Sequence, residues 1–134
     1  MTQDNGIITK ESQLSFEETY DKLKTIITNN PNLKLLFELD HSANAAKVDK
    51  TLRPTRILMF GNPNLGTPLM MTGAHTGLDL PQKMLVQQSD DGKVTVSYND
   101  PHYLVSRHGI QGQDEIIQKV AGALDKISSA ATGS

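Results

Sequence analysis

Two side chains have the types and settings that acid–base chemistry requires. His41 follows Asp40 at the end of an alternating apolar segment, and an imidazole beside a carboxylate can exchange protons near neutral pH. Asp79 is flanked by apolar residues in the segment 77–81 (Gly-Leu-Asp-Leu-Pro), where a carboxylate must be hydrogen-bonded or functional. We therefore predict His41 and Asp79 as catalytic candidates that meet in one cleft; the alternative for His41 is a surface histidine at a strand end.

The segment 61–82 is too long for a simple turn between two strands. It contains four of the ten glycines and three of the six prolines of the chain. Connections longer than about 12 to 15 residues usually carry a function or are disordered. We expect this segment to cover a ligand cleft; the alternative is a loop with one helical turn around residues 68–72 that caps an open side of the sheet.

The start of this segment has the glycine spacing of a phosphate-binding loop. Gly61 and Gly66 match that spacing, but Thr67 replaces the phosphate-binding lysine and Pro68 the magnesium-binding hydroxyl, which disfavours nucleotide hydrolysis. The amides near Gly66 and Thr67 remain candidates for holding an anion at a helix start, with Pro68 as the first helical residue. Asn62 belongs to the same candidate binding set.

Further polar candidates follow the last predicted strand. Tyr98 and Asn99 leave that strand and are expected either to bond a ligand or to stabilise the turn. Asp100 is a predicted helix N-cap, and Gly109 is the predicted end of that helix. The histidines within it, His102 and His108, are six residues apart, which is not the spacing of a two-histidine metal face, so we predict no metal site and no cofactor.

Composition limits the classes of partner. The 134 residues have a net charge of -2 and no basic stripe, so nucleic acid is not an expected partner. The absence of cysteine excludes disulfides, thiolate nucleophiles and zinc–thiolate sites. No apolar stretch approaches the roughly 18 residues of a membrane span, and the N-terminus lacks the pattern of a signal peptide. We expect a soluble chain without a membrane partner; its compartment, cytoplasmic or exported after removal of a signal, stays open.

Apolar periodicity predicts the elements that position these residues. Ser15 and Glu18 have the spacing of a capping box, and apolar residues at helical spacing follow them. The same apolar spacing recurs over residues 116–127. Alternation predicts strands over 7–9, 33–40, 55–60, 83–88 and 93–98, and the Asp91-Gly92 pair predicts a hairpin between the last two. A short helix is expected within 42–50. The order strand, helix, four strands, helix predicts an α+β fold with helices on one face of an antiparallel sheet.

Two expectations concern packing and boundaries. Leu33, Leu35, Phe37 and Leu39 share one face if the strand alternates regularly, so we expect all four in the core against the first helix. We expect a single domain over residues 1–134, with an ordered core over 6–127 and a flexible tail over 128–134.

Several motifs in one order resemble domain-of-unknown-function family 302 (DUF302). The resemblance runs from about Gly6 to Ile127 and implies a small α+β domain of the TATA-binding-protein-like class, one copy per chain and often homodimeric. It implies no activity. The motifs are Asp40-His41, Arg53-Pro54-Thr55, Phe60-Gly61-Asn62-Pro63, Gly66-Thr67-Pro68-Leu69-Met70, Gly77-Leu78-Asp79-Leu80-Pro81, Tyr98-Asn99-Asp100-Pro101 and Arg107-His108-Gly109.

Three functions are compatible with these observations. The first is a binding module that holds a small polar or anionic ligand under the 61–82 segment. The second is an enzyme in which His41 acts as acid or base and Asp79 or Asp40 orients it. The third is a structural homodimer without a ligand, formed through a sheet edge or through Met70 and Met71.

Overall fold

The structure, a computed structural model, describes residues 5–133. Residues 1–4 lie outside the described part, and so does Ser134, the last residue of the expected tail. A 3-10 helix spans Ala74–Leu78. The strands and α-helices, in chain order, are β1 (Ile7–Glu11), α1 (Phe16–Asn29), β2 (Lys34–Asp40), α2 (His41–Ala46), β3 (Thr55–Gly61), α3 (Pro63–Thr72), β4 (Gln82–Gln88), β5 (Val94–Asn99), α4 (Pro101–His108) and α5 (Asp114–Ala131).

The five strands form one antiparallel sheet in the order β1-β5-β4-β3-β2. Helices α1 and α5 pack on one face of it, which confirms the predicted α+β fold. The core lies between these helices and the sheet. Its fully buried members include Leu23 and Ile27 of α1, Leu124 of α5, and Phe60 and Met84 of the sheet.

Local sequence explains most of the element boundaries. Ser15 and Glu18 form the reciprocal capping box that starts α1. The Asp100 carboxylate accepts from the amide of His102 at the start of α4, and Gly109 ends that helix with a φ of 63°, which a residue with a Cβ adopts only under strain. These predicted caps are confirmed.

The register predicted for β2 is wrong. A bulge between Leu35 and Phe37 places Leu35 opposite Phe60 but Phe37 opposite Met59. Because one extra residue reverses the alternation, Phe37 and Leu39 point away from the helices, and 52% of Phe37 is exposed. Glu38 takes the helix side instead, where its carboxylate accepts from the Tyr20 hydroxyl at 2.6 Å.

The end of the chain also differs from the expected tail. Helix α5 continues past Ile127 to Ala131, and Ser128, Ala131 and Thr132 are buried. The amide of Gln13 donates to the carbonyl of Thr132 at 2.9 Å. The chain remains helical to Ala131 because the segment after β1 packs against these small side chains.

Candidate functional site

An apolar cavity of about 360 Å³ lies at the end of the sheet where β2 begins and β3 ends. The strand ends of β2, β3 and β4 form its floor, and α3 and α5 form its walls. Leu36 and Met70 lie at its mouth, with 52% and 38% of their surfaces exposed. Apolar lining residues include Leu33, Phe60, Leu65, Leu69, Leu80, Pro81, Val120, Ala123, Leu124 and Ile127.

Helix α3 supplies the wall that covers the cavity. The Asn62 side chain accepts from the amide of Asn64 at 3.0 Å. This N-cap stabilises the first turn of α3, in which Pro63 is the first residue. A Cβ on Gly66 would lie 3.6 Å from Leu80 Cδ1, so α3 and the Leu80 wall approach to ordinary van der Waals distance. The 61–82 segment is therefore structured, with a ten-residue helix rather than a single turn.

The anion site expected near Gly66 and Thr67 is not formed. Helix α3 starts at Pro63 instead of Pro68, and the amide of Gly66 donates to the carbonyl of Asn62 at 2.9 Å. An amide committed inside a helix cannot also bind an anion. Asn62, Gly66 and Thr67 nevertheless line the apolar cavity, so three of the predicted binding residues lie around one space.

His41 and Asp79 do not share a cleft. His41 follows β2 at the end of the sheet where Asp40 pairs with Arg56, whereas the cavity and Asp79 lie at the end where Lys34 pairs with Gly61. A seven-residue strand separates the two ends by roughly 20 Å. The predicted pair is wrong because antiparallel strands place consecutive connections at opposite ends of the sheet.

Asp40 does not orient His41 either. Its carboxylate caps α2 by accepting from the Ala43 amide at 2.9 Å and from the Ser42 hydroxyl at 2.7 Å, and it also accepts from Arg56 Nε at 3.2 Å. The bonds from Ser42 and Ala43, aided by the Arg56 charge, lower the pKa of Asp40. The Asp40 carboxylate therefore caps α2 and bonds β2 to Arg56 of β3.

The histidine that meets Asp79 is His108, in the last turn of α4. Its Nε2 lies 2.6 Å from Asp79 Oδ2, and Arg107 Nη1 donates to both carboxylate oxygens at 3.1 and 2.9 Å. Neither Arg107 nor His108 was among the predicted site residues. The signal that could have found them is an adjacent cation and histidine near a helix end, which suits an apolar-flanked carboxylate.

Tyr98 and Asn99 lie outside the cavity. Tyr98 is on the helix side of β5 with 5% of its surface exposed, and belongs to the core. Asn99 is half-buried and pairs with Ile7 at the end of β5. Helix α5 also contributes to the cavity, through Ala123 and Leu124. The only sequence signal for this contribution is the apolar spacing of that helix.

Within residues 5–133, no group of three or more His, Asp or Glu side chains is arranged to hold a metal ion. A separate finding concerns membranes. No helix of that same range has both the length and the apolar character needed to cross a bilayer.

The fold and site define a class of small α+β protein in which two long helices cover one face of a five-stranded antiparallel sheet and an apolar cavity lies at one end. The chain belongs to the DUF302 family: the model of the domain of unknown function DUF302 matches residues 8–127. The resemblance indicated by the sequence motifs is thereby confirmed.

Similar proteins include longer chains. The chain is 36% identical over 107 residues, 80% of its length, to the fluoride-specific ion channel FluC 1 of Brucella suis biovar 1 (strain 1330), and the match spans 42% of that protein. The same identity and coverage of this chain hold for the fluoride-specific ion channel FluC 2 of Brucella melitensis biotype 1, of which 39% is matched. The chain therefore spans about two fifths of the length of these curated relatives.

A solved structure has the same fold. The crystal structure of an uncharacterized conserved protein DUF302 from Bacillus stearothermophilus superposes with a TM-score of 0.82, covering 94% of this chain and 98% of the other. The two sequences are 18% identical, so the likeness concerns the fold.

Proposed function

We propose that this protein is a binding module for a small apolar molecule, held in the cavity under the 61–82 segment. The observation that carries the proposal is the cavity itself: about 360 Å³, within the size range of ligand sites, with a lining that is almost entirely apolar. Burial of an apolar ligand there is favoured in proportion to the area that it removes from water.

The ligand chemistry in this proposal differs from the polar or anionic molecule expected from the sequence. The amide of Gly66 is used inside α3, and the Asn62 side chain caps that helix. Thr67, Lys34 and Gln82 are the other polar residues of a lining that is mostly apolar. An apolar body with a small polar end fits this distribution best.

Titration with the neutral fluorophore N-phenyl-1-naphthylamine tests the proposal. We expect saturable binding with one site per chain and displacement by short aliphatic molecules. Ala123→Phe places a ring in the space between α5 and α3 and should abolish binding, whereas Ala130→Phe, at an exposed position of the same helix, should not. Absence of saturable binding by the wild type, or equal binding by Ala123→Phe, would contradict the proposal.

We infer a second property, homodimer formation through the sheet face that carries no helix. This face has 52% of Phe37 exposed, beside half-buried Leu39, Ile57 and Met59. An exposed apolar face of this kind is typical of a two-fold contact between identical copies.

Sedimentation velocity tests the dimer. We expect the wild type to sediment as a dimer at tens of micromolar and Phe37→Glu as a monomer. Val48→Glu is the matched control, because Val48 is 64% exposed but lies after α2, outside the sheet face. A monomeric wild type would remove this inference.

The remaining alternatives receive less support. The Asp79–His108 contact is the one that an acid–base enzyme would use, but Arg107 already engages the same carboxylate, and the His108 side chain is 5% exposed. Channel activity is a property of the longer Brucella relatives, of which the matched region makes up 42% and 39%. The proposal for this chain rests on its cavity alone.

A further inference from the structure

A polar cluster lies just outside the apolar cavity and fastens one of its walls. The Asp79 carboxylate accepts from Arg107 Nη1 at 2.9 and 3.1 Å and lies 2.6 Å from His108 Nε2. The side chains of Asp79 and His108 are 15% and 5% exposed, so their contact is largely shielded from water, whereas the Arg107 side chain is 52% exposed. The cluster joins the last turn of α4 to the chain that follows the 3-10 helix.

The next residues after Asp79 form the cavity wall. Leu80 and Pro81 both line the cavity. On their other side, the Lys83 ammonium donates to the carbonyl of Asp79 at 3.2 Å and to that of Pro81 at 3.0 Å. Burial lowers the pKa of Lys83, and the nearby Asp79 charge opposes that effect. Polar contacts therefore hold the backbone on both sides of Leu80.

The preceding turn, Ala74–Leu78, has no large buried apolar side chain. Leu78 is 72% exposed, and His75 and Gly77 are exposed as well. Thr76 is fully buried. Within residues 5–133, its hydroxyl is the one buried side-chain polar atom that lacks a hydrogen-bond partner. A buried hydroxyl without a partner destabilises the conformation that contains it. Asp79 is the only charged residue between positions 61 and 82, and its side chain bonds this turn to Arg107 and His108 of α4.

We propose that Asp79, Arg107 and His108 are positioning residues for the ligand cavity. They set the position of the Leu80–Pro81 wall, and through it the affinity for an apolar ligand, without touching the ligand. The inference rests on the proposed function, because it assigns the determinant of affinity in that same cavity.

Binding of N-phenyl-1-naphthylamine to the full chain tests the role. Asp79→Asn and Arg107→Gln should each weaken binding by about tenfold, the effect expected when a charge-assisted hydrogen bond that fixes a site is lost. Arg107 is 52% exposed, so its variant folds even if Asp79→Asn does not. Ser15→Ala is the matched control: it destabilises the whole fold through the α1 cap, far from the cavity, and should leave the dissociation constant unchanged.

Hydrogen exchange separates positioning from a general loss of stability. The amides of Thr76 and Asp79, bonded to the carbonyls of Gly73 and Thr76, should exchange faster in Asp79→Asn and at the wild-type rate in Ser15→Ala under conditions of local opening. If the wild type binds the probe and both cluster variants bind it with the same affinity, the positioning role is overturned and the binding module stays intact. Unchanged exchange in Asp79→Asn would have the same consequence. A wild type that does not bind the probe would instead overturn the binding module.

Discussion

Phe37 and Glu38 are neighbours on β2 and face opposite sides of the sheet, in the reverse of the order that simple alternation predicts. The bulge after Leu35 causes the reversal. The exchange is tolerated because β2 is an edge strand, where the Glu38 carboxylate reaches the Tyr20 hydroxyl and lies 3.1 Å from the Lys24 ammonium. At residue scale, one inserted position decides which side chains belong to the core and which remain on the surface.

The bulge gives two phenylalanines very different weights in stability. Phe60 is 1% exposed, so Phe60→Ala should lower the free energy of unfolding by about 3 to 5 kcal/mol. Phe37 is 52% exposed, so Phe37→Ala should cost less than about 1 kcal/mol in the monomer. Urea denaturation of both variants measures the difference. Equal losses at a protein concentration low enough to keep the chain monomeric would mean that Phe37 faces the helices after all.

The Tyr20–Glu38 contact predicts a specific dependence on pH. The hydrogen bond from Tyr20, together with Lys24, lowers the pKa of Glu38, while burial and this same carboxylate raise the pKa of Tyr20. Because folding lowers the pKa of Glu38, its contribution to stability is present above the ordinary value of 4.5 and is lost as pH falls through the lowered pKa.

Tyr20→Phe should therefore cost about 1 kcal/mol near neutral pH. The difference between wild type and variant should shrink as the solution is acidified below the ordinary Glu38 pKa of 4.5. Chemical denaturation at a series of pH values measures it, with Thr28→Val as a control for an exposed hydroxyl on the same helix. A difference that is constant down to about pH 3 would show that the Glu38 charge does not contribute.

At the scale of elements, the middle and the C-terminal end of α5 have different roles. Its middle provides Ala123 and Leu124 to the cavity, while its last turn buries Ser128, Ala131 and Thr132 beside the segment that follows β1. Small residues fit here because the helix end and the backbone of Gln13 approach to hydrogen-bond distance, 2.9 Å from the Gln13 amide to the Thr132 carbonyl.

Removal of residues 128–134 should consequently destabilise the protein, by about 2 kcal/mol or more, since buried contacts and a backbone hydrogen bond are lost. Removal of Ser134 alone is the control. Thermal unfolding measures both truncations. Identical midpoints for the wild type and the longer truncation would support a tail that contributes nothing to the fold.

At the scale of the whole molecule, the sheet separates two surfaces with different proposed partners. The end formed by β2, β3 and β4 carries the apolar cavity, and the face opposite the helices carries Phe37 and its apolar neighbours. Ligand binding and dimer formation can therefore be disrupted separately, by Ala123→Phe and Phe37→Glu.

A ligand that binds only the folded state must raise its stability. At a probe concentration one hundred times the dissociation constant, the stabilisation should be about 2.7 kcal/mol in the wild type, seen as a higher midpoint of thermal unfolding. Ala123→Phe, with its cavity filled, should show no increase, and Phe37→Glu should show the full increase. An equal increase in Ala123→Phe would place the bound probe elsewhere.

The sequence by itself determined the elements of this protein and their order. The capping box at Ser15, the Asp100 and Gly109 helix ends, the Asp91-Gly92 hairpin and the apolar periods are local signals, because each depends on residues within one or two turns of chain. The motifs of the 8–127 family match are likewise readable from the chain alone. The unusual length of the 61–82 connection can also be seen in the sequence, and residues near both ends of that segment line the cavity.

Only the tertiary structure decided which residues meet. Strand direction placed His41 and Asp79 at opposite ends of the sheet and brought Asp79 to His108, a pairing of residues 29 positions apart for which no local pattern exists. The bulge at β2 depended on the register with β3, and the apolar character of the cavity depended on how α3 and α5 pack over the strand ends. These features arise from contacts between segments that are distant in the sequence. Their stability depends on packing and burial between segments, which the local sequence of one segment does not specify.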